Sequence, residues 1–191
     1  MKLIAGLGNP DARYADTRHN IGFMAAESLA AGSGIALKKQ GYQGVYGVGA
    51  VCGTQTTVLL PQTFMNRSGI SIGSACKSLG ISPGDLIVIH DDIDLPFGMV
   101  RIKVGGGHGG HNGIRSLCEV LGQVDFIRVK MGVGRPPGGG DVAGYVLSPF
   151  SAAEKKQLPI VLSNSVAVIE TILAKGPLGA MNEYNNRDLT Q

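Results

Sequence analysis

Charged residues and cysteines are both scarce in this chain of 191 residues. Charged residues make up 16% of it and apolar residues 43%, which excludes a disordered chain and favours a compact fold with a substantial core. The three cysteines, Cys52, Cys76 and Cys118, are scattered and form no CxxC pair. They support neither a disulfide framework nor a cysteine zinc site, so we expect a protein of a reducing compartment, the cytoplasm.

Long apolar runs are missing as well. No uninterrupted run approaches the ~18 residues that a membrane span needs. The N-terminal sequence MKLIAGLGNP has too short an apolar stretch for a signal peptide. The chain shows no internal repeat and no clear domain linker. We therefore expect one domain over residues 1–191, without a membrane partner.

The net charge is only +3, but it is unevenly distributed. Residues 101–135 contain six lysines and arginines against two acidic residues, a larger surplus than that of the whole chain. The segment HDDIDLP at 90–96 instead places three aspartates within five positions. A basic face beside an acidic centre suits a polyanionic partner presented to a carboxylate-assisted site. Ordinary solvated charges would give the same pattern, so both interpretations stay open.

Apolar patterns predict alternating strands and helices. Strands are predicted at 2–8, 45–51, 56–61, 86–92, 99–104 and 126–134, and helices at 20–30, 68–80, 114–121 and from 151 onward. The strands at 45–51 and 56–61 are predicted to form a hairpin. SAAE at 151–154 has the form of a capping box, and Gly176-Pro177 is predicted to end the last helical region. We expect an α/β fold in which a mixed central β-sheet is flanked by helices, with a mobile loop at 135–144.

Polar residues gather in the loops between these elements. Open α/β sheets build their sites at the carboxyl ends of strands, so the topology predicts that the loops converge. The most unusual loop is GGGHGGHNG at 105–113, where six of nine residues are glycine. Such a loop is costly to order, because glycine loses much conformational freedom on folding. A phosphate cradle, a metal site and a pocket for a flat polar substrate are the three candidate functions that would explain it. The polar residues of the converging loops are Asn9, His19, Asn66, Asp91, His111 and Asn112.

Familiar catalytic signatures are absent. GLGNPD begins like a dinucleotide fingerprint, but Asp11 replaces the third glycine. The glycine loop lacks the Lys-Ser/Thr ending of a P-loop, and no GxSxG marks a serine nucleophile. His108 and His111, together with Asp91 or His90, stay open as zinc ligands, although no HExxH spacing supports them. The other candidate chemistry is water activation by a histidine, with amides positioning the substrate.

Several long motifs resemble, in order and spacing, those of bacterial-type peptidyl-tRNA hydrolases. They are GLGNP at 6–10, Tyr14, TRHNIG at 17–22, TFMNRSG at 63–69, HDDIDLPFG at 90–98 and GGGHGGHNG at 105–113. The resemblance extends from about residue 2 to GYVLSPF at 144–150 and is looser in the C-terminal helix.

The family resemblance implies the α/β fold predicted above and a carboxylic ester hydrolase. Its substrate is peptidyl-tRNA, or N-blocked aminoacyl-tRNA, bound through the acceptor stem and the 3′ end. The enzyme cleaves the ester at the tRNA 3′ end and so recycles tRNA from stalled translation. The resemblance implies no metal and no cofactor, and we expect a monomer.

The resemblance also implies roles for individual residues. His19 matches the catalytic histidine, a general base that activates water. Asp91 matches the carboxylate that holds this histidine in the base-competent tautomer. Asn66 and Asn112 match amides that bind the reacting end of the substrate, and Asn9 matches the residue that senses whether the amino group is blocked.

Further residues are assigned to substrate binding by the same resemblance. Tyr14, Phe64 and Met65 form walls for the terminal nucleotide or peptide, His111 presents a polar edge at a helix start, and Lys103 and Lys130 clamp the tRNA 5′ phosphate. Relatives often carry arginine at the position of Lys130, and lysine lacks the bidentate geometry of arginine.

Two other functions are alternatives to the peptidyl-tRNA hydrolase. One is a noncatalytic RNA-binding module on the same scaffold, and the other is a zinc-dependent hydrolase.

Overall fold

A short apolar strand, β1 (Lys2–Gly6), lies inside an eight-stranded sheet in the computed structural model, which describes residues 1–191. The other strands are β2 (Lys39–Gly41), β3 (Gly44–Val51), β4 (Thr54–Pro61), β5 (Leu86–Asp92), β6 (Met99–Val104), β7 (Ile127–Gly132) and β8 (Arg187–Asp188). The helices are α1 (Ile21–Gly32), α2 (Ser68–Leu79), α3 (Asn112–Leu121), α4 (Val142–Val146) and α5 (Ala152–Tyr184). The predicted elements are all present, and β2, β8 and α4 are additional.

The sheet is mixed, as the sequence predicts. Its strands follow the order β2-β3-β4-β1-β5-β7-β6-β8. The inner strands β4, β1, β5 and β7 run parallel to one another, whereas β3 pairs antiparallel with β4 in the predicted hairpin and β6 pairs antiparallel with β7. The carboxyl ends of β1, β5 and β7 therefore meet at one edge of the sheet, where open α/β sheets place their sites.

Alternating side chains divide the core into two layers. On β1, Leu3 and Ala5 point toward α2 and α3, while Ile4 points toward α1 and α5. The inner strand β5 is buried along its whole length, which explains its continuous apolar run up to His90. Strand β6, next to the short edge strand β8, alternates buried Val100 with exposed Arg101, as expected for a half-exposed strand.

The direction of β6 decides where the glycine loop begins. Val104 pairs with Ile127, four residues before the partner of Asp91 on β7, so the loop starts about 13 Å from the edge that carries Asp91. The prediction that this loop leaves the sheet at the same edge as the other loops is therefore wrong. Residues 105–111 instead run back along the face of the sheet to reach that edge.

Arg128 on β7 holds this returning loop against the sheet. Its guanidinium donates hydrogen bonds to the carbonyl oxygens of Gly106 (2.6 Å) and Gly107 (2.7 Å). Gly106 has a φ of 88°, a conformation that glycine adopts without the steric cost of a side chain. The glycines of this loop thus allow its backbone to pass close to the sheet.

Helix α5 starts with the predicted capping box. The Oγ of Ser151 accepts a hydrogen bond from the Glu154 N–H (3.2 Å), and Oε2 of Glu154 accepts one from the Ser151 N–H (2.6 Å). The predicted end at Gly176-Pro177 is confirmed. Gly176 has non-helical backbone angles (φ 73°, ψ 172°), and a second helical segment continues beyond this kink to Tyr184.

By length and composition, α5 could cross a membrane, although it contains no uninterrupted apolar run of ~18 residues. Core helices of soluble proteins pass the same test. Here one face of α5, which carries Val161, Val168 and Ile172, is buried in the core shared with α1 and the sheet. The helix is therefore a layer of the fold.

Candidate active site

A cavity of about 540 Å³ opens at the edge where β1, β5 and β7 end. Nine residues that the resemblance implicates line it: Asn9, His19, Phe64, Met65, Asn66, Asp91, His111, Asn112 and Lys130. Tyr14 and Lys103 are not among the lining residues. Tyr14 lies in a short 3₁₀ turn, where the Arg13 guanidinium covers its ring at 4.8 Å.

Asp91 at the end of β5 joins two histidines from distant parts of the chain. Its carboxylate lies 2.9 Å from Nδ1 of His19 and 2.7 Å from Nε2 of His111. His19 comes from the 3₁₀ turn before α1, and His111 comes from the end of the glycine loop. All three side chains are largely buried, so these hydrogen bonds form in a poorly solvated environment.

The charge on Asp91 fixes the protons of both rings. Burial alone would raise its pKa, but His111 and His19 outweigh burial and lower the pKa well below the ordinary range. An ionised carboxylate only accepts, so Nδ1 of His19 and Nε2 of His111 must both donate. The Nδ1 of His111 accepts from the backbone N–H groups of Gly113 (3.1 Å) and Ile114 (3.3 Å) and so caps α3. A neutral His19 then keeps a free lone pair on Nε2.

A third histidine, His90, packs against this pair. Its ring meets that of His111 edge-on at 4.8 Å, and its Nδ1 donates to the Asp91 carbonyl oxygen at 2.7 Å. Burial, followed by the proximity of His111, lowers the pKa of His90 well below its ordinary value. His90 is therefore a neutral wall of the cavity.

Asn9 is fixed by three hydrogen bonds. Its backbone N–H and carbonyl pair with the side-chain amide of Asn20 at 2.8 and 2.9 Å. Its Oδ1 accepts from the Met65 N–H at 2.9 Å. With Oδ1 engaged, the remaining polar group of the Asn9 side chain is Nδ2, a hydrogen-bond donor.

The other two asparagines that line the cavity lie at helix starts. Asn66 lies in the 3₁₀ turn before α2, and Asn112 is the first residue of α3; both are exposed. Beside them, Phe64 is 54% exposed while Met65 is buried in the core below. Phe64 thus offers an apolar surface to a ligand, whereas Met65 both packs the core and lines the cavity.

Lys130 and Lys103 differ in their surroundings. Nζ of Lys130 forms an ion pair with Asp92 at 2.7 Å inside the cavity wall. Lys103 is exposed on β6, directly opposite Arg128, and Arg101 is opposite Lys130 in the same ladder. Because directly opposite residues share a face of the sheet, these four basic side chains form one block beside the cavity.

Comparison with known proteins decides the family. The model of the family described as peptidyl-tRNA hydrolase matches residues 3–191. A peptidyl-tRNA hydrolase of Syntrophotalea carbinolica is 62% identical over 187 residues, covering 98% of each chain. One of Geotalea daltonii is 49% identical, covering 99% of this chain and 98% of its own. The chain belongs to the peptidyl-tRNA hydrolase family.

A solved structure from the family has the same fold. The crystal structure of peptidyl-tRNA hydrolase from Acinetobacter baumannii superposes with a TM-score of 0.92 at 36% identity, covering 99% of this chain and 96% of the other. The predicted α/β fold is thus confirmed. The family match also runs through α5, beyond residue 150, where the motif resemblance is loose.

The cavity of this peptidyl-tRNA hydrolase includes residues that the motifs do not single out. Helix α4 contributes an apolar wall through Val142 and Val146. The sequence pattern predicts a mobile loop over this segment because of its glycines, but the helix begins at Val142, after a turn at Pro137–Gly139. Asn20 lies inside the motif TRHNIG, so the sequence did contain a signal for it. Its contact with the Asn9 backbone becomes visible in the structure.

Arg18 connects the α4 wall to His19, its neighbour in sequence. Its guanidinium pairs with Glu154 at 2.8 Å, donates to Oγ of Ser148 at 2.7 Å and stacks over the Tyr145 ring at 4.1 Å. Only 8% of its side chain is exposed. The turn that carries His19, helix α4 and the start of α5 therefore form one buried unit.

The structure brings together a different set of possible metal ligands from the set that the sequence suggests. His108 is exposed, and its Nδ1 accepts from the Gly110 N–H, so it does not join His111 in a cluster. The ligand atoms that do lie together, within 4.8 Å of one another, belong to His19, Asp91 and His111. Each of these histidines already uses its nearest nitrogen to donate to Asp91, which favours a hydrogen-bonded network over a metal centre.

Proposed function

We propose that this peptidyl-tRNA hydrolase cleaves its ester with a water molecule that His19 activates. The observation that carries the proposal is the pairing of His19 Nδ1 with Asp91, which leaves Nε2 as the basic nitrogen at the cavity. The ionised Asp91 holds the ring in this tautomer and stabilises the imidazolium that forms when the ring takes a proton. The base, its orienting carboxylate and the cavity form one arrangement.

The reaction balances with these groups alone. The water oxygen attacks the ester carbonyl carbon while its proton passes to Nε2 of His19. The tetrahedral intermediate then expels the ribose 3′ oxygen, which takes the proton back from His19. The amides of Asn66 and Asn112 donate hydrogen bonds to the developing oxyanion without adding net charge to the site. The products are free tRNA and a peptide carboxylic acid, which releases its proton to solvent.

Asn9 is suited to recognise the blocked amino group. Its Nδ2 is a donor, so it pairs with the carbonyl oxygen of an N-acyl or peptidyl group, which a free ammonium lacks. The exposed Phe64 provides a surface on which a terminal base or a peptide side chain packs. Tyr14 does not line the cavity, so in this proposal it contacts a part of the substrate that lies outside it.

The basic block beside the cavity fits the phosphates of the acceptor stem. Lys103 and Lys130 clamp the 5′ phosphate in this proposal, with Lys130 leaving Asp92 as it binds. Because the exposed basic side chains neutralise phosphates, binding depends on salt. We further propose that the enzyme acts as a monomer in the cytoplasm, where peptidyl-tRNA arises.

Substitution of the base tests the mechanism directly. His19→Ala should lower kcat by ~10²–10⁴-fold, the usual contribution of general-base assistance. The affinity for uncleaved N-acetyl-aminoacyl-tRNA should change little, because in this proposal Lys103 and Lys130, and not His19, bind the charged phosphate of the tRNA. Single-turnover cleavage and a filter-binding assay measure the two quantities. Cleavage at the wild-type rate would reject His19 as the base.

A zinc-dependent hydrolase is the second candidate, and the proximity of His19, Asp91 and His111 is the observation that favours it. Chelator treatment followed by metal readdition separates the two mechanisms. Metal-free protein should keep its full rate if His19 acts as a base. Loss of activity that zinc restores would favour the metal mechanism instead.

A further inference from the structure

A second cavity of about 200 Å³ lies next to the candidate active site, and Asn9 lines both. One wall of it is a single face of α1. Asn20 precedes the helix, and Phe23, Met24 and Glu27 follow at spacings of three, one and three residues, which places them in one row. The row begins at the amide that holds Asn9 and ends at a carboxylate.

The charge in this second cavity has one sign. Asp11 and Glu27 line it, whereas no lysine, arginine or histidine does. Asp11 is paired only with the exposed Arg13, whose Nε lies 3.4 Å away. Burial raises the pKa of Glu27, and no cation opposes this effect. The cavity therefore combines an apolar surface with two carboxylates, of which Asp11 has a cation nearby and Glu27 does not.

The position of Glu27 matches the course of a peptide. If Asn9 faces the blocked amino group, the rest of the peptide continues past Asn9, away from His19. Glu27 lies six residues beyond the start of α1, about 9 Å along its axis. An extended peptide covers this distance in two to three residues.

We propose that the second cavity is a subsite for a basic side chain of the peptidyl group, two or three residues before the residue esterified to tRNA. The methylene groups of a lysine or arginine pack along Phe23 and Met24, and the charged end reaches Glu27 and Asp11. This inference rests on the proposed function, because it takes the peptide's direction from Asn9. It makes the enzyme selective for peptide sequence as well as for N-blocking.

Three N-acetyl-tripeptidyl-tRNAs test the subsite, with lysine, alanine or glutamate as the first residue followed by two alanines. The wild-type kcat/KM should be highest for lysine and lowest for glutamate, in steps of about two- to fivefold, the range of a partly exposed ion pair. Glu27→Gln should compress these differences, and Glu27→Lys should reverse their order. Glu119→Gln, which removes an exposed carboxylate on α3, should retain the wild-type order.

The outcomes separate the subsite from the reaction itself. Equal kcat/KM for the three substrates, or an unchanged order in Glu27→Lys, would overturn the subsite while leaving the hydrolase activity in place. Failure of the wild-type protein to cleave any of them would overturn both. The differences should also shrink as salt is raised, because mobile ions screen an exposed charge pair.

Discussion

Asp91 accepts hydrogen bonds from two histidines, and the two rings have different remaining partners. His111 is held by the α3 backbone through Nδ1 and so acts as a rigid support. His19 has no such second partner in the structure and faces the cavity. One carboxylate therefore holds one histidine that caps a helix and another whose Nε2 is left for the cavity.

Replacing Asp91 by asparagine should change both the rate and its pH dependence. An amide can donate to Nδ1 of His19 and so favour the wrong tautomer, and kcat should fall by ~10²–10⁴-fold with a smaller effect on binding. A carboxylate beside an imidazole favours the imidazolium form, which a neutral amide does not. Without the carboxylate, the acid limb of the pH–rate profile should move to lower pH. An unchanged rate and profile would leave Asp91 as a turn residue only.

Helices α2 and α3 set the distance between the side-chain amides of Asn66 and Asn112. A Cβ on Gly69 would lie 2.2 Å from the Ser116 carbonyl oxygen, and the Gly69 N–H donates to Oγ of Ser116 at 3.0 Å. This contact lies one turn or less from Asn66 and about one turn from Asn112. The spacing of the amides thus depends on a backbone-to-backbone approach that only glycine permits.

Gly69→Ala should push the two helices apart. We expect a loss of about 1–3 kcal/mol in the free energy of unfolding, as for other overpacked sites, and a fall in kcat/KM because the amides separate. Gly32→Ala is the matched control, since a Cβ there meets nothing within 4 Å. Thermal unfolding and single-turnover kinetics measure the two effects. Equal stability and activity in both variants would show that the helices tolerate the extra methyl group.

The elements were largely predictable from the sequence, but the course of the glycine loop was not. Strand β5 and helix α1 follow from local apolar patterns, which depend on near neighbours. The antiparallel direction of β6 depends on its pairing with β7, which no local pattern encodes. Helix α4 was missed because the glycines before it indicate a loop, while its apolar face is stabilised by contacts with distant residues.

The site residues divide in the same way. His19 and Asp91 stand in long motifs, so the family resemblance predicts them, and the structure places them 2.9 Å apart. Their chemical roles stay predictions until variants are measured. The cap on His111, the Asp92 partner of Lys130 and the Arg18 network are side-chain contacts between segments far apart in sequence. Single residues carry no signal for such contacts.

At the scale of the whole molecule, the basic surplus lies on one corner of the sheet. Lys103→Ala and Lys130→Ala should each weaken binding of full-length tRNA and reduce the log–log salt slope by ~1. Cleavage of a short aminoacyl ester should be unaffected, because the groups that activate water lie elsewhere. Binding and kinetics across a salt series measure both effects. Equal losses on long and short substrates would overturn the phosphate clamp.

Two further variants sharpen this test. Lys39→Ala removes an exposed lysine on β2, at the far end of the sheet, and should leave the salt slope unchanged. Asp92→Asn removes the ion-pair partner of Lys130 and should strengthen tRNA binding if Lys130 contacts phosphate. Weaker binding in that variant would indicate that the ion pair itself positions the site.

The ion pair between Arg18 and Glu154 affects the order in which parts of the nascent chain fold. It joins residues 136 positions apart, and Asp91 lies 72 positions from His19. Closing such long loops is entropically costly and slow compared with local helix formation. During synthesis, the turn that bears His19 emerges early but gains its buried partners only once the start of α5 has been made. Catalytic competence is therefore among the last properties that the nascent chain acquires.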